Sequence, residues 1–338
     1  MLNIVKVGDP SFANLWQLLW NDQKEEWQIP LYSNLWIKYL KEYAREQRFE
    51  DLSFVIEENG RPIIGFLISI SVHLDGRYYL SAFGRPILYL ESKRISYFQR
   101  RSAFKVAKRE LDGMLIQKKI TKIIYQDFAP EISFFSKYLL GIEAIATPYF
   151  TQVIDIYWKE SDLSRQIRKS YKSLINWGRK NLSLRILGPK TIKPQDMENF
   201  RQLHIQAAGR ETRSAKTWDL QYDMVCNKEA FVILGYLEQV LVTAAFFTYN
   251  PNYCYYGVSA SNRELFDKPL SHSVIWTAIL HAKSLGCRYF EMGEQLYPNQ
   301  GHDSIPTQKE LGISTFKRGF GGQTVVRLDL LWKIKEDY

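Results

Sequence analysis

Between Tyr253 and Gly322 the apolar and polar positions fall into blocks that predict a strand, a helix, a second strand and a glycine-rich turn. YCYYGVSAS, from Tyr253, reads as the first strand. Val274, Ile275, Ala278 and Ile279 then recur at helical spacing between Ser271 and Leu285, and Gly286 stops that helix. RYFEMGEQ reads as the second strand and FKRGFGG, from Phe316, as the turn. A single-helix crossover predicts that the two strands are parallel, with a cleft at their carboxyl ends. The polar run SNRELFDKPLSHS would lie over this cleft and feed the helix N-terminus, where backbone N–H groups favour an anionic or carbonyl ligand.

The same pattern has an echo earlier in the chain. FVIEENGRPIIGFLISI, from Phe54, and FVILGYLEQVLVTAAFF, from Phe231, both read as strand, turn, strand. RYYLSAFG near Tyr78 answers NYCYYGVSAS, and KKITKIIYQDFAP answers SLGCRYFEMGEQ. Two similar α/β halves with mixed sheets follow, 1–150 and 151–338, joined near FTQVIDIYW and the basic helix after it. No low-complexity linker separates them, so close packing is expected.

Composition narrows the function classes. The chain has 338 residues, 46% of them apolar, and no apolar run long enough to cross a bilayer. MLNIVKVGDPSF shows neither a signal peptide nor an anchor, which makes the cytoplasm the expected compartment. Cys226, Cys254 and Cys287 have no metal or disulfide spacing, and His73, His204, His272, His281 and His302 form no paired-ligand pattern, so no metal is expected. The net charge of +9, interspersed with acids, is too weak for a dedicated nucleic-acid binder, and no DNA partner is expected. The basic residues gather at Lys93 to Lys108 and at Arg165 to Arg185, which reads either as a solvated helix face or as a phosphate-docking surface.

YYGVSAS, the helix ending at Gly286, RYFEMGE and Phe316-Lys317-Arg318-Gly319-Phe320-Gly321 together resemble the GNAT-like acyltransferase superfamily, in particular the tandem GNAT-like domains of FemAB and FemX. The IRKSYKSLINWGRK segment is similar to the Arg-rich helix between the halves of that family. The resemblance covers residues 150 to 330 in its motifs and the first half by layout. It implies two tandem GNAT-like domains and transfer of an acyl or aminoacyl group to a primary amine, with no covalent enzyme intermediate. Implied partners are acyl-CoA, an acyl carrier protein or aminoacyl-tRNA as donor, and a small or lipid-linked cell-envelope precursor, such as an amino sugar, as acceptor. Peripheral contact with the inner membrane is compatible with the basic face.

Amine acylation needs a proton acceptor and a group that stabilises the oxyanion. Strand alternation sends Glu291 with Tyr289 to one face and Phe290 to the other, making Glu291 either a base or substrate contact or else an exposed edge carboxylate or ion-pair partner, with Glu294 beyond Gly293. His204 shares the apolar face of Phe200; it reads as a core histidine, or, within the resemblance, as the acceptor side of the site. Arg210 and Arg213, released after Gly209, read either as a carboxylate or phosphate clamp or as surface charge. Lys317 either complements its helix dipole or, as the resemblance implies, meets the donor carbonyl. Tyr256 is an expected substrate contact, and Ser259, Ala260, Ser261, Asn262, Ser271 and His272 are expected to hold the donor. One departure stands out. The Gln/Arg-x-x-Gly-x-Gly/Ala loop that grips the coenzyme A diphosphate in GNAT enzymes is replaced here by Ser261, Asn262, Arg263, Glu264 and Leu265. The resemblance leaves three readings: an N-acyltransferase acting on an envelope amine, a FemAB/FemX-type peptidoglycan-bridge aminoacyltransferase using aminoacyl-tRNA, and a noncatalytic binding module of the same fold.

Overall fold

A computed structural model describes residues 1–23, 29–44, 49–72, 76–128, 131–300 and 305–334; His73 and His302 lie outside them. The first half runs β1 (Leu2–Lys6), α1 (Phe12–Asn21), α2 (Asn34–Tyr43), β2 (Phe49–Asp51), β3 (Phe54–Glu58), β4 (Arg61–Leu67), β5 (Ser69–Val72), β6 (Tyr78–Ser81), β7 (Leu88–Glu91), α3 (Tyr97–Gln117), β8 (Ile120–Asp127) and α4 (Phe134–Gly141). A long strand, β9 (Ile145–Asp155), leads into α5 (Glu160–Gln166), the basic helix α6 (Lys169–Asn181) and β10 (Ser183–Leu187). The rest is α7 (Pro194–Ala208), α8 (Ala215–Cys226), β11 (Ala230–Leu237), β12 (Val240–Tyr249), β13 (Tyr253–Ser261), α9 (Leu270–Ser284), β14 (Tyr289–Gln295), α10 (Gln308–Arg318) and β15 (Gln323–Lys333). Among the described residues no helix is long and apolar enough to cross a membrane.

The strands form a four-stranded sheet, β1-β3-β4-β7, and an eleven-stranded sheet, β10-β11-β12-β13-β14-β9-β15-β8-β6-β5-β2. Both sequence hairpins are antiparallel pairs, β3 with β4 and β11 with β12. The strand–helix–strand unit is parallel as expected, with Tyr253, Cys254 and Tyr255 opposite Tyr289, Phe290 and Glu291. The echo is looser in the first half. There RYYLSAFG does not extend the hairpin: β6 runs parallel to the start of β8, and β7 takes the place beside β4. The chain leaves the hairpin through β5, which pairs with β2 and β6 and carries it into the other sheet.

Residues 150 and 151 both lie inside β9, which pairs with β14 on one side and β15 on the other. β15 in turn pairs with β8, so backbone hydrogen bonds run unbroken from one half into the other. Side chains add to this junction. One core cluster joins Trp16, Leu19 and Tyr32 of the first half to Phe200, Trp218 and Phe246 of the second. Arg213 donates to the Tyr39 hydroxyl at 2.7 Å, and Ser214 donates to Glu42 at 2.8 Å.

Helix α6 is amphipathic as its spacing predicts: Tyr171, Ile175 and Gly178 are buried while Lys169, Lys172 and Lys180 face solvent. It packs on α9 at a point of close approach, where a Cβ on Gly178 would lie 2.2 Å from Ser273 Oγ.

Candidate functional site

After three parallel pairs β13 and β14 part, because each follows its other neighbour: β13 stays with β12, and β14 stays with β9. Both strands are bulged as they separate. Gly257 is skipped in the register with Phe246 and Phe247, and Met292 is skipped between Glu291 and Gly293. A bulge turns a strand and frees backbone from its ladder, and here two of them open a cleft of about 960 Å³. Its walls are β13, the start of α9 at Ser271, and the face of α10 formed by Lys309, Gly312, Ile313, Phe316 and Lys317, which recur at helical spacing.

At the base of the cleft Gly293 adopts φ +81°, and a Cβ there would lie 3.4 Å from the Tyr255 hydroxyl and 3.5 Å from Lys317 Nζ. A glycine therefore lets the backbone turn and keeps these two polar groups close to the opening. Lys317 donates to the Glu294 carbonyl at 3.1 Å. Burial lowers its pKa, with Glu294 and Glu291 opposing the shift.

A second chamber of about 390 Å³ adjoins the first along β13. Trp36, Tyr39, Tyr43, Arg85 and Phe128 of the first half line it, with Thr212 and Arg213 of the second. His204, Tyr255 and Gly257 line both spaces. The His204 ring packs edge-on against Trp218 at 5.4 Å. Burial, then the nearby Arg213 charge, lower its pKa, which keeps the imidazole neutral near pH 7. In the first half the corresponding region at the ends of β7 and β8 is filled by Tyr89, Tyr125, Glu91 and Asp127, leaving about 30 Å³.

The structure brings together His204, Lys317, Tyr256, Ser259, Ala260, Ser261 and Ser271 on the large cleft. Other expected residues go elsewhere. Glu291 is 1% exposed and lines neither space. Its carboxylate accepts from Thr151 and Tyr253 at 2.6 Å each and from both terminal nitrogens of Arg327 at 2.8 and 2.9 Å. Burial alone would raise its pKa, but the Arg327 charge and these hydrogen bonds outweigh it and hold the group below its ordinary value. The expected base is thus a fully bonded anion with no oxygen left for an incoming amine.

Arg210 and Arg213 do not form a clamp. Arg210 is exposed and lines neither space, whereas Arg213 is spent on Tyr39, on Gln221 at 3.0 Å, and on the Trp218 face at 3.9 Å. Glu294 is exposed beyond Gly293. Asn262 turns back to cap Glu264 N–H, and His272 packs among Tyr171, Phe316 and Phe320, where burial lowers its pKa to about 4.

Whether this cleft suits coenzyme A depends on the turn after β13. A diphosphate needs free backbone N–H groups. Here the amide of Asn262 bonds Val242, that of Glu264 the Asn262 side chain, that of Leu265 the Asn262 carbonyl, and that of Phe266 the Arg263 carbonyl. The amides of Lys268, Leu270 and His272 also bond carbonyls of the same segment. The amides of Arg263, Asp267 and Ser271 make no such bond among the described residues, so the turn and the start of α9 keep three donors for an anion, with Glu264 exposed beside them. Among the described residues no group of three or more His, Cys, Asp or Glu side chains converges as a metal site.

Sequence reading missed Tyr255 and Gly257, although both stand in YCYYGVSAS, and it missed the cleft face of α10, whose spacing was available. It also missed the aromatic wall from the first half, for which a linear sequence carries no signal.

No family model matches the sequence, and no curated protein matches it significantly. Solved structures do share the architecture. FemX superposes with a TM-score of 0.65 at 10% identity, covering 97% of this chain and 96% of that one. L-PGS from Bacillus licheniformis gives 0.59 at 14%, with 97% and 92% covered. A tandem GNAT protein from the clavulanic acid biosynthesis pathway gives 0.50 at 14%, with both chains covered in full. At these identities the likeness is one of fold, and the chain accordingly has a mixed α/β, tandem GNAT-like fold related to that of FemX.

Proposed function

We propose that this chain is an N-acyltransferase that moves an acyl group from a thioester donor, acyl-CoA or an equivalent carrier, to a primary amine of a cell-envelope precursor such as an amino sugar. The observation that carries this reading is the meeting of two chambers at His204, Tyr255 and Gly257, with Lys317 beneath. Donor and acceptor each take one chamber and meet along one bulged strand. The amine nitrogen attacks the thioester carbonyl, a C–N bond forms, the C–S bond breaks, and the proton lost by the amine ends on the departing thiol. His204, neutral near pH 7, accepts that proton in transit, and the Lys317 ammonium faces the developing oxyanion. The fold shared with FemX and the tandem GNAT protein supports transfer chemistry of this general kind.

A second reading, aminoacyl transfer from tRNA, is favoured by Lys169, Lys172 and Lys180, which are exposed on α6 and form no ion pair among the described residues. The test offers acetyl-N-acetylcysteamine, acetyl-CoA and aminoacyl-tRNA in turn, each with glucosamine and with an amino-acid amide. Amine-dependent thiol release supports the first reading. Transfer from tRNA alone supports the second. No turnover with any donor overturns both and leaves a binding module.

A further inference from the structure

We infer that the second chamber selects an acceptor that carries an anionic group, a carboxylate or a phosphate, on the same molecule as its amine. This rests on the reading of that chamber as the acceptor side of an acyl transfer. Two arginines line it, and no Asp or Glu does. Arg85, exposed in the turn between β6 and β7, lays its guanidinium over the Tyr43 ring at 5.3 Å and forms no ion pair among the described residues. Arg213 donates only to neutral groups, Tyr39 and Gln221, and its Nε is buried with no acceptor among the described residues. Acids on the adjoining elements are engaged elsewhere: Asp51 with Lys41, Glu42 with Ser214, Glu211 with Arg201 and Asp329 with Gln126.

A guanidinium stacked on a ring keeps its in-plane N–H donors for a carboxylate or phosphate. The chamber wall therefore holds two positive charges that the chain itself leaves uncompensated. An amino sugar with no acidic group, cationic at neutral pH, would meet only repulsion from them, whereas an anion on the same molecule supplies the missing counter-charge. The remaining wall suits a ring: Trp36, Tyr43 and Phe128 offer aromatic surface to the apolar face of a sugar. Anchored at Arg85, such an acceptor presents its amine toward His204 and Tyr255, which the chamber shares with the large cleft.

The experiment compares glucosamine with its phosphate ester at the primary hydroxyl and with the corresponding uronic acid, three compounds that share ring and amine and differ in the anion. Binding to the full chain is read without donor by ligand-observed NMR, and turnover by thiol release from acetyl-N-acetylcysteamine. One of the two anionic compounds is expected to bind and react roughly tenfold or more better than glucosamine, with a preference that falls as salt rises. Which one does so identifies the anion. Arg85→Gln should bring the preference close to one, Arg85→Lys should keep part of it, and Arg85→Glu should reverse it. Unchanged thermal midpoints show that the variants fold; if they do not, the salt dependence of the unaltered chain decides. Equal affinity for all three compounds, no binding of either anion, or a preference that the folded Arg85 variants or added salt leave intact overturns the inference. Turnover of glucosamine at the same kcat/KM as the anionic compounds fells this inference and leaves the transferase standing. Arg85-dependent binding of an anion without turnover from any donor keeps the anion site and fells the transferase.

Discussion

The carboxylate of Glu291 sits between Thr151, Tyr253 and Arg327, three residues from three different strands. Glu291→Gln would leave the Arg327 guanidinium buried without its counter-charge, and a loss of about 3 kcal/mol in urea denaturation is expected. Any turnover measured well below the new midpoint should survive; turnover lost with stability intact would return Glu291 to acid–base chemistry. Alternation along RYFEMGEQ showed which neighbours share a face with Glu291, but not that Arg327, in a later strand, fills that face. Lys317 carries the opposite expectation, with Lys317→Met lowering kcat by roughly a hundredfold while the fold is unchanged, as for loss of one oxyanion donor. Acid stability has a definite sign. His272 is held near 4 in the fold against an ordinary value of 6.5, so the unfolded chain binds the proton first. Stability from this group is full above 6.5 and declines as the pH falls toward 4. Glu291, also lowered, adds a loss of the same sign at more acid pH. Thermal midpoints followed from pH 7 to pH 4 should fall, and His272→Phe should flatten the upper part of that decline.

Elements carry a different kind of information. The parallel unit of β13, α9 and β14 was legible because a helical period between two strand periods leaves few topologies. The opening of the cleft was not, since it depends on bulges at Gly257 and Met292 that arise from competition between neighbouring strands. The match between α6 and α9 was likewise hidden: Gly178 looks like a poor helix residue until Ser273 is placed against it. Gly178→Ala improves helix propensity yet sets its Cβ 2.2 Å from Ser273 Oγ, and a net loss of roughly 1–3 kcal/mol is expected. Paired with Ser273→Gly, the loss should be smaller than the sum of the two single changes, which a double-mutant cycle on unfolding free energies would measure.

On the scale of the whole molecule, the internal echo pointed correctly to a repeated α/β layout, while the way the halves join lay beyond it. Pairing between β8 and β15 depends on residues hundreds of positions apart, and no local pattern records it. Because one sheet runs through both halves, a single cooperative transition in calorimetry is expected, and separate expression of 1–150 and 151–338, which cuts β9, should yield insoluble pieces. The position of β15 bears on biosynthesis as well. Its slot, between β9 and β8, is flanked by strands made much earlier, so both keep a bare edge until residues 323–333 have emerged from the ribosome. Closure of the sheet is therefore a late event in the life of the nascent chain, and during that wait holding chaperones have two open edges to guard.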